Sequence, residues 1–498
     1  MNDPRMEVPA PILVETEFKL ALDPRDIGAL KRHALLAGKT AKRVRQVDVY
    51  FDTPDLRLAR NGLALRLRRA GGRWLQTLKD GGRVTAGLHQ RGEWEFPLPR
   101  PSLDLRFLAD TPFGKLPSDV GPKLQPAFTV KVMRTSWVVA PDAAGRIEIV
   151  LDRGVLICGE RELPICEVEL ELLAGDANCL FRVAAALQED CSLKPESDSK
   201  SERGYRMIRG EPLHPAHAEP VHLDPGSTLP MALRHIARSS LAHLHANEAG
   251  VLASDNGEFL HQARVALRRL RSALKFAGAA PGGILAELKW FSGALGPARD
   301  WDVFVCDILP PALRAYGDVA EARRIARQAR RQRKASFAAA RLAFGSRRYF
   351  ALLLEVSRWL LESVPPGAEI SPAAFAARRI GKRHKRLLCD AIGLAGQTPQ
   401  QRHRVRIDAK RLRYAVEHFG SLFHGKSVRR YARDLSALQD ILGSVNDAVT
   451  AERLLAQVPL AEGPGAFMRG WLAARSAGDI ALAQELVARL GGHKRFWM

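Results

Sequence analysis

Hydrophobic and polar residues alternate in short runs along the first 210 residues of the chain. Such runs include VETEFKL from Val14, LALRLRR from Leu63, RIEIVLD from Arg146 and CEVELELL from Cys166, and turn-forming GG, PD and RG pairs lie between them. Alternation with a period of two residues is typical of strands that bury one face. We therefore predict an antiparallel β-structure for this part of the chain.

The pattern changes after residue 210. Prolines at positions 212, 215, 220, 225 and 230 exclude a helix or a central strand there, and we predict a proline-rich linker at residues 211–228. Beyond it the chain is rich in Ala, Leu and Arg, and stretches such as residues 321–343 lack Gly and Pro, which predicts helices. The expected fold is an α+β multidomain protein, with a β domain at residues 1–210 and an all-α domain at residues 229–490.

The helical half contains an internal repeat. HQARVALRRLRSA begins at His261 and HRVRIDAKRLRYA begins at His403, 142 residues later. A second pair of similar segments follows, LKWFSGALGPARD from Leu288 and LSALQDILGSVND from Leu435. Duplication of a multi-helix unit explains both pairs and predicts two related helical bundles, at about residues 229–350 and 351–490.

Each copy of the repeated helix carries basic side chains at intervals of three and four residues. This spacing places them in a stripe on one helix face, where like charges repel by roughly 0.2–0.5 kcal/mol per pair. Two such stripes in matching register predict an external anion, although a solvated helix face is the alternative. The stripes contain His261, Arg264, Arg268, Arg271 and Lys275 in the first copy, and His403, Arg406, Lys410 and Arg413 in the second, where Glu417 replaces the final lysine.

Composition locates the charge of the chain. The 498 residues, enough for two or three domains, include 76 Lys plus Arg against 54 Asp plus Glu, a formal net charge of +22. Residues 1–210 carry 33 basic and 29 acidic side chains, whereas residues 211–498 carry 43 and 25. The excess in the helical half predicts a polyanionic partner, either nucleic acid, an acidic membrane surface or a phosphate polymer.

Aromatic residues near the stripes are sparse, which disfavours nucleic acid because its binders usually add stacking surfaces. A membrane-surface helix needs an exposed apolar face, which a helical bundle buries. A flexible phosphate chain needs only regularly spaced cations, and we favour it. The chain has no apolar run of the roughly 18 residues of a membrane span, no apolar signal core, and no CxxC pair among its six cysteines. We expect a cytoplasmic protein with reduced thiols.

The polar faces of the predicted strands carry both carboxylates and cations. Glu15 and Glu17 share a face with Lys19, and Arg66 and Arg68 share another. Neighbouring carboxylates repel unless a cation offsets them, and they are the ligands that Mg and Mn prefer. Arginine and lysine suit phosphate oxygens. The interior of a polar barrel with these groups could hydrolyse or transfer a phosphoryl group, and a sheet with its polar face in water is the alternative.

The same strands resemble, in order, the motifs of the CYTH domain, the triphosphate tunnel metalloenzyme family. VETEFKL resembles its ExExK signature, and VYFDTPDLRLARNGLALRLRR resembles its Asp-Thr-Pro turn followed by paired arginines. LQTLKD, GLHQRGEWEF, MRTSW, IEIVLDRG, CEVELELL and SDSKSERGYRM follow in the expected order. The resemblance covers residues 10–210 and implies an antiparallel barrel that forms a tunnel. It also implies Mg- or Mn-dependent hydrolysis of triphosphate-bearing substrates, although one branch of the family makes cyclic AMP.

The CYTH resemblance also implies roles for individual residues. Inorganic triphosphate is the expected substrate, because similar chains with the same second half are usually assigned to it. Adenylate cyclase activity, thiamine triphosphatase activity and a non-catalytic polyphosphate-binding protein remain alternatives. The implied catalytic residues are Glu15, Glu17, Lys19, Arg66 and Arg68, the substrate-binding residues are Lys79, Arg91, Arg134, Lys200 and Arg203, and the metal ligands are Glu15, Glu17, Glu169, Glu171 and Asp152, with Glu93 and Glu167 as further candidates.

Residues 228–490 resemble the CHAD domain, an α-helical domain named for its histidines. The resemblance rests on HQARVALRRLRSALKF, LGPARDWDV, HRVRIDAKRLRYAVE and LQDILGSVND. It implies two related bundles with a basic groove that binds inorganic polyphosphate through both stripes. Asp300 and Asp447 are expected to fix helix ends or orient arginines. The combined expectation is a triphosphatase tethered to a polyphosphate-binding domain, with polyphosphate granules as one expected location.

Overall fold

The computed structural model describes residues 13–85, 88–143, 145–196, 198–210, 212–277, 283–361, 370–423, 425–459 and 462–498. The chain divides into two compact units: the first extends to Pro212 and also includes Leu353–Arg358, and the second comprises Leu213–Leu352 and Trp359–Met498. None of the helices within these described ranges is both long enough and apolar enough to cross a bilayer.

The first unit is built mainly of β-strands, as the alternating pattern predicts. The strands are β1 (Leu13–Leu22), β2 (Lys42–Asp52), β3 (Ala64–Ala70), β4 (Arg73–Lys79), β5 (Arg83–Thr85), β6 (Leu88–Leu98), β7 (Gln125–Val139), β8 (Arg146–Cys158), β9 (Arg161–Ala174) and β10 (Leu193–Pro195). The helices are α1 (Ile27–Arg32), α2 (Arg57–Arg60), α3 (Asn178–Asp190) and α4 (Lys200–Arg209).

Eight of these strands form a closed antiparallel barrel. Their order is β1-β9-β8-β7-β2-β3-β4-β6, and β6 pairs with β1 to complete the circle. The short strands β10 and β5 pair with β1 and β6, respectively. Closure removes the unpaired sheet edges and creates an interior to which every second residue of each strand can point. The predicted antiparallel barrel is confirmed.

The Asp-Thr-Pro turn ties the end of β2 to α2. The Asp52 carboxylate is buried and accepts hydrogen bonds from the backbone N–H groups of Thr53 at 2.7 Å, Leu58 at 2.9 Å and Ala59 at 3.0 Å. A single side chain therefore satisfies three donors in a tight turn. This motif residue stabilises the backbone and does not line the barrel cavity described below.

Asp52→Ala is expected to lower the free energy of unfolding by about 3 kcal/mol, since a buried donor without an acceptor costs roughly 1–3 kcal/mol. Denaturant unfolding of the full chain measures the loss. Asp55→Ala is the matched control because the Asp55 side chain is 49% exposed. Equal losses in the two variants would contradict the structural role of Asp52.

The second half of the chain is helical. Its helices are α5 (Leu229–Ala253), α6 (Gly257–Ala277), α7 (Ile284–Ala294), α8 (Gly296–Val303), α9 (Leu309–Tyr316), α10 (Val319–Phe344), α11 (Arg347–Leu361), α12 (Pro372–Asp390), α13 (Pro399–Phe419), α14 (Lys426–Leu455) and α15 (Glu462–Gly491). A short π-helical segment, Phe304–Ile308, joins α8 to α9. The predicted order of a barrel followed by a helical region is confirmed.

The repeated sequence forms the helices α6 and α13, and equivalent apolar residues such as Leu270 and Leu412 are buried in both. The second repeated segment differs between the copies. From Leu288 it is divided between α7 and α8, whereas from Leu435 it lies inside α14. Pro297 explains the break, because proline has no N–H to donate and its ring disturbs the preceding helical turn.

The proline-rich segment packs along the second unit. Its described residues 212–228 contain neither helix nor strand. Val221 and Leu223 are nevertheless buried in an apolar cluster with Leu229 of α5. The backbone N–H of Leu223 donates to the Ser421 hydroxyl at 3.1 Å. The segment is therefore anchored to the helical unit along part of its length.

Candidate functional site

Three carboxylates form a row across neighbouring strands of the barrel. Strand β9 lies between β1 and β8, and its Glu171 is directly opposite Glu17 on one side and Glu148 on the other. Directly opposite residues have Cβ atoms about 4.5–5.5 Å apart, and like charges in such pairs destabilise a sheet. The strand register therefore concentrates negative charge at this position.

The carboxylates of the next two rows have cations beside them, one on β1 and one on α4. Glu169 is opposite Lys19 of β1, and Glu167 is opposite Asp152 of β8. Lys200, the first residue of α4, contacts Asp152, Glu167 and Glu169. The arrangement thus changes from excess negative charge at one row to paired charges at the following rows.

A cavity of about 740 Å³, with the space at its openings included, lies beside these rows. The strands across the barrel supply cations to it, and most residues that the sequence assigned to the site lie on its wall. Asp152, Glu167 and Arg203 do not line it. The lining includes Glu15, Glu17, Lys19, Arg66, Arg68, Lys79, Arg91, Arg134, Glu169, Glu171 and Lys200, together with Tyr50, Ala64, Glu93, Glu95, Ser199 and Ser201.

Ion pairs hold the cations on the β1 side of the cavity. Lys79 Nζ lies 2.6 Å from Glu15 Oε2, and Arg91 contacts Glu15 at 3.2 Å and Glu17 at 2.6 Å. Lys19 Nζ lies 2.8 Å from Glu17. These side chains are buried or nearly so, and the pairs fix their positions before any ligand binds.

A second group of ion pairs surrounds Asp152, which is completely buried. Arg134 contacts both Asp152 and Glu169 at 2.7 Å, and Lys200 contacts the same two carboxylates at 2.8 and 2.9 Å. Arg203 pairs with Glu167. Asp152 therefore orients Arg134 and Lys200 of the cavity wall from behind it, whereas Arg203 holds Glu167, which in turn contacts Lys200.

The surrounding charges lower the pKa of one glutamate of the cavity and raise the pKa of another. Burial opposes ionisation of Glu15, but Lys79 and Arg91 outweigh it and hold the pKa of that carboxyl well below its usual range. Burial raises the pKa of Glu171 to about 7, and the nearby Glu15, Glu148 and Glu17 carboxylates add to the rise. Negative charge is therefore incompletely balanced at the Glu171 end of the cavity.

The donor set at that end fits a divalent metal ion. Glu15, Glu17 and Glu171 offer carboxylate oxygens, which Mg and Mn prefer, and added positive charge would relieve the repulsion that Glu15, Glu148 and Glu17 exert on Glu171. Asp152 and Glu169 form a separate carboxylate group with Glu167, with ligand atoms within 4.8 Å of one another. Lys200 already contacts all three, so this second group has less need of a metal ion.

Sequence reasoning did not assign a role to Asp48, which positions both paired arginines. The Asp48 carboxylate is completely buried, and it accepts from Arg68 at 2.9 Å and from Arg66 at 3.4 Å. The signal available in the sequence was an aspartate between valines in the strand motif QVDVYF. A buried acid on a strand requires a cationic partner.

A capping box sets the start of α4 and so the position of Lys200. The Ser199 side chain accepts from the backbone of Glu202, and the Glu202 carboxylate accepts from the backbone N–H of Ser199. The motif SKSE carries the S-x-x-E signature of this cap, and Ser199 lies on the cavity wall.

The repeated basic helices meet at a second cavity, of about 1390 Å³ with its openings included, within the second half of the chain. The first three stripe residues of each copy face it, so the duplicated sequence produces one site with matching contributions. Helices α8 and α14 complete the wall with the paired residues of the second repeat. The stripe residues on the wall are His261, Arg264 and Arg268 of α6 and His403, Arg406 and Lys410 of α13, and Arg299, Asp300, Asn446 and Asp447 also line it.

This second cavity contains crowded cations. Arg264 donates to the backbone oxygen of Ser292 at 2.7 Å, and Arg268 donates to the Tyr414 hydroxyl at 3.0 Å, so both bonds go to neutral groups. The Nε atoms of Arg264 and Arg406 are buried without a hydrogen-bond partner in the described part of the chain. The cavity therefore offers unused donors to an anion.

Crowding also lowers the basicity of the cavity residues. Burial lowers the pKa of Lys410 to about 6, with further contributions from Arg406 and Arg268. Burial and neighbouring arginines lower the pKa of Arg264 to about 10 and that of His261 to about 4. In the barrel the cations have carboxylate partners, whereas here positive charge is in excess. The two cavities therefore differ in their balance of positive and negative charge.

The outer residues of the two stripes lie elsewhere. Arg271 and Lys275 line an adjoining pocket, whereas Arg413 contacts Glu417 at 2.6 Å. Asp300, on the wall of the large cavity, contacts Arg453 at 2.8 Å. The structure therefore brings six of the nine proposed polyphosphate-binding residues to one cavity. Arg271, Lys275 and Arg413 lie outside it.

Family models match both halves of the chain. The model of the CYTH domain matches residues 13–205, and the model of the CHAD domain matches residues 235–456. The predicted identity and order of the two domains are confirmed.

Known proteins resemble this chain over different lengths. An inorganic triphosphatase of Haemophilus influenzae is 36% identical over 203 residues, which make up 39% of this chain and 55% of that protein. The chain thus spans about half the length of this relative. An uncharacterised protein of Mycobacterium tuberculosis is 28% identical over 494 residues, and the match covers 88% of this chain and 87% of that protein.

A solved structure resembles the helical half. The crystal structure of the CHAD domain from the plant Ricinus communis has 35% sequence identity and a TM-score of 0.52. The match covers 56% of this chain and 98% of the plant domain.

Proposed function

This chain is a two-domain protein of the CYTH and CHAD families, and from that premise we propose two activities. The barrel hydrolyses inorganic triphosphate with Mg or Mn, and the helical domain binds inorganic polyphosphate. The observation that carries the first activity is a single cavity in which Glu15, Glu17 and Glu171 adjoin a set of fixed cations. The likeness to an inorganic triphosphatase supports a triphosphatase or a related CYTH activity.

In the proposed complex the cations of the cavity bind the phosphate oxygens. Arg66, Arg68, Lys79, Arg91 and Arg134 come from four different strands and line one cavity. Guanidinium groups bind phosphate in a bidentate manner, and phosphate oxygens replace or share their carboxylate partners. Because ion pairs fix these cations beforehand, they can stabilise the charge that moves to the leaving group with little rearrangement.

The proposed metal ligands are Glu15, Glu17 and Glu171, with Glu169 and Asp152 as further members of the set that the sequence implies. A bound Mg or Mn ion supplies positive charge to the phosphate oxygens and can lower the pKa of a coordinated water. Lys19 holds Glu17 and Glu169 in place through contacts of 2.8 and 2.7 Å. Burial opposes its charge, but Glu169 and Glu17 raise the pKa of Lys19, so it stays protonated.

Identification of the products tests the proposed reaction. The full chain is incubated with Mg or Mn and with inorganic triphosphate, ATP or thiamine triphosphate. The proposal expects phosphate release from inorganic triphosphate to be the fastest reaction. Cyclic AMP from ATP would assign a cyclase instead, faster hydrolysis of thiamine triphosphate would change the substrate, and no turnover would leave a binding protein.

The crowded cations of the helical cavity support polyphosphate binding. Six side chains from two equivalent helix faces converge on it, and a flexible phosphate chain can contact them in succession. Binding of long-chain polyphosphate and of duplex DNA, each measured over a range of salt concentrations, tests this choice of anion. Equal or tighter binding of DNA would contradict it.

Polyphosphate affinity is expected to decrease as the pH rises from 7.5 to 9.5. The pKa of Lys410 is about 6 in the free protein, and a bound polyanion should raise it towards the ordinary value of about 10.4. The gain in affinity from protonation of Lys410 is complete below the pKa of Lys410 in the free protein. It decreases as the pH rises above that value and is lost once the pH exceeds the pKa of Lys410 in the complex. The range lies above that in which histidine usually titrates.

Binding isotherms at constant ionic strength measure this pH dependence, and calorimetry in two buffers measures the accompanying proton uptake. Lys410→Arg is the control because arginine stays charged throughout the range. The variant should bind with little change between the two pH values. An unchanged pH dependence in Lys410→Arg would rule out Lys410 as its source.

A further inference from the structure

The two stripes do not end in equivalent surroundings. Arg268 and Lys410 line the large cavity and also an adjoining pocket, of about 790 Å³ with its openings included. This outer pocket lies among α6, α12 and α13, and its wall includes Arg271, Lys275 and Arg383. A chain bound to the shared residues can therefore continue from the large cavity into the outer pocket.

Cations dominate the outer pocket. Arg271 Nε is buried and has no hydrogen-bond partner among the described residues. Lys275 is largely exposed, but the part of its side chain that is covered lowers its pKa, and Arg271 and Arg411 lower that pKa further. One carboxylate adjoins this group, since Asp408 contacts Arg411 at 3.3 Å. Arg271 and Lys275 thus remain available to an anion.

Arg383 adds a cation that the repeat does not contain. It comes from α12, and its guanidinium group stacks 4.5 Å from the centroid of the Phe276 ring. It also donates to the backbone oxygen of Arg411 at 2.6 Å. These contacts hold Arg383 on the pocket wall while leaving part of its donor fork unused.

Glu417 changes the equivalent end of the second stripe. The repeat aligns Arg271 with Arg413, Lys275 with Glu417, and Arg411 with Arg269. Glu417 contacts Arg413 at 2.6 Å and Arg269 at 3.7 Å. One acid at the position of a lysine therefore engages Arg413, the counterpart of Arg271, and also contacts the buried Arg269.

We propose that a polyphosphate chain held in the large cavity continues along the first stripe, over Arg271, Lys275 and Arg383, and that Glu417 closes the equivalent path along the second stripe. This inference rests on the proposed polyphosphate binding and gives it a direction. Long chains reach the outer pocket and short chains do not. The outer residues therefore select for chain length.

The double variant Lys275→Gln/Arg383→Gln tests the open exit in the full chain. Its affinity for long-chain polyphosphate should fall roughly tenfold, and the slope of log affinity against log salt should weaken by roughly 0.7 for each removed cation. Its affinity for triphosphate at the helical cavity should not change. The full chain has two proposed sites for triphosphate, and Lys410→Gln distinguishes them. This variant should lose triphosphate binding at the helical cavity and keep binding in the barrel. Lys334→Gln, on the exposed face of α10, is the matched control.

Glu417→Lys tests the closed exit by restoring the residue of the first copy. Its affinity for long-chain polyphosphate should rise several-fold, while its affinity for triphosphate stays the same. Glu485→Lys makes the same change of charge at an exposed position of α15 and is the control.

Equal changes for long and short chains, or changes no larger than those of the controls, would overturn the one-sided path. Failure of the underlying function looks different, because the unmodified chain would then bind no polyphosphate. If Lys410→Gln removes binding but the outer variants match their controls, only the path is wrong.

Discussion

Glu17→Gln lowers the turnover of inorganic triphosphate by at least about 100-fold with either Mg or Mn. Loss of a group that supports a metal ligand usually costs 10–100-fold, and Glu17 is itself a proposed ligand. It also contacts Lys19 at 2.8 Å and Arg91 at 2.6 Å, so the neutral amide weakens two substrate-facing cations as well. Phosphate release at saturating metal and substrate measures the loss.

Glu171→Gln separates the loss of a ligand from the loss of folding. Glu171 lies between two opposing carboxylates, and burial with these neighbours raises its pKa to about 7. The amide removes repulsion, so this variant should lose turnover while its thermal stability without metal stays equal or rises. Glu160→Gln, in the exposed turn between β8 and β9, is the control. Wild-type turnover in both cavity variants would refute the assignment of the site.

Lys410→Glu abolishes measurable binding of polyphosphate and stabilises the helical domain. Two unit charges about 4 Å apart interact by about 4 kcal/mol at an effective dielectric constant of 20. Reversal of one charge beside Arg406 and Arg268 should therefore lower affinity by at least about 100-fold. In the free protein at neutral pH the Lys410 amine is largely uncharged, so the glutamate adds attraction to Arg406 and Arg268 and should raise stability.

The expected gain in stability is on the order of 1 kcal/mol, which corresponds to about 2–4 °C in the midpoint of thermal unfolding. Calorimetry of the full chain measures it, and binding is measured on the same preparation. Lys334→Glu on α10 makes the same change of charge on an exposed helix face. Parallel losses of affinity in both variants would show that overall charge, and not the cavity, governs binding. A loss of stability in Lys410→Glu would contradict the crowding of cations.

The sequence predicted the barrel and the faces of its strands. CEVELELL places Glu167, Glu169 and Glu171 on one face because strand side chains alternate. It does not state that Glu171 lies between Glu17 and Glu148, since register depends on pairing between segments far apart in the chain. The unequal charge balance of these glutamates follows from that pairing.

Asp48 is a second residue whose role depends on pairing between strands. Its position between valines predicts a strand, but its function depends on Arg66 and Arg68 of the next strand. The role of Asp152 likewise depends on Arg134 and Lys200, which it holds on the cavity wall, and that of Arg203 depends on Glu167 behind the wall. The family resemblance implied a metal ligand at Asp152 and a substrate contact at Arg203, and it did not separate residues that contact a ligand from residues that support such a contact.

In the helical half, spacing predicted the two stripes, and Glu417 made the second stripe shorter than the first. The structure confirms neither that the whole stripe binds anions nor that both stripes act alike. Arg413 contacts Glu417, and Arg383 joins the outer pocket from α12, which lies outside the repeated motif. Helical periodicity specifies the face on which a residue lies, but it does not specify which helix packs against that face.

The sequence by itself determined the two kinds of domain, the strand faces, the duplicated helices and the chemical classes of the sites. These properties depend on local periodicity and composition, which any segment carries along its own length. Only the tertiary structure decided which charges oppose one another, which cations remain without a carboxylate and where each cavity opens. Those properties depend on register and packing between distant segments, and electrostatic energies at distances of a few ångströms then decide which residue can bind an anion.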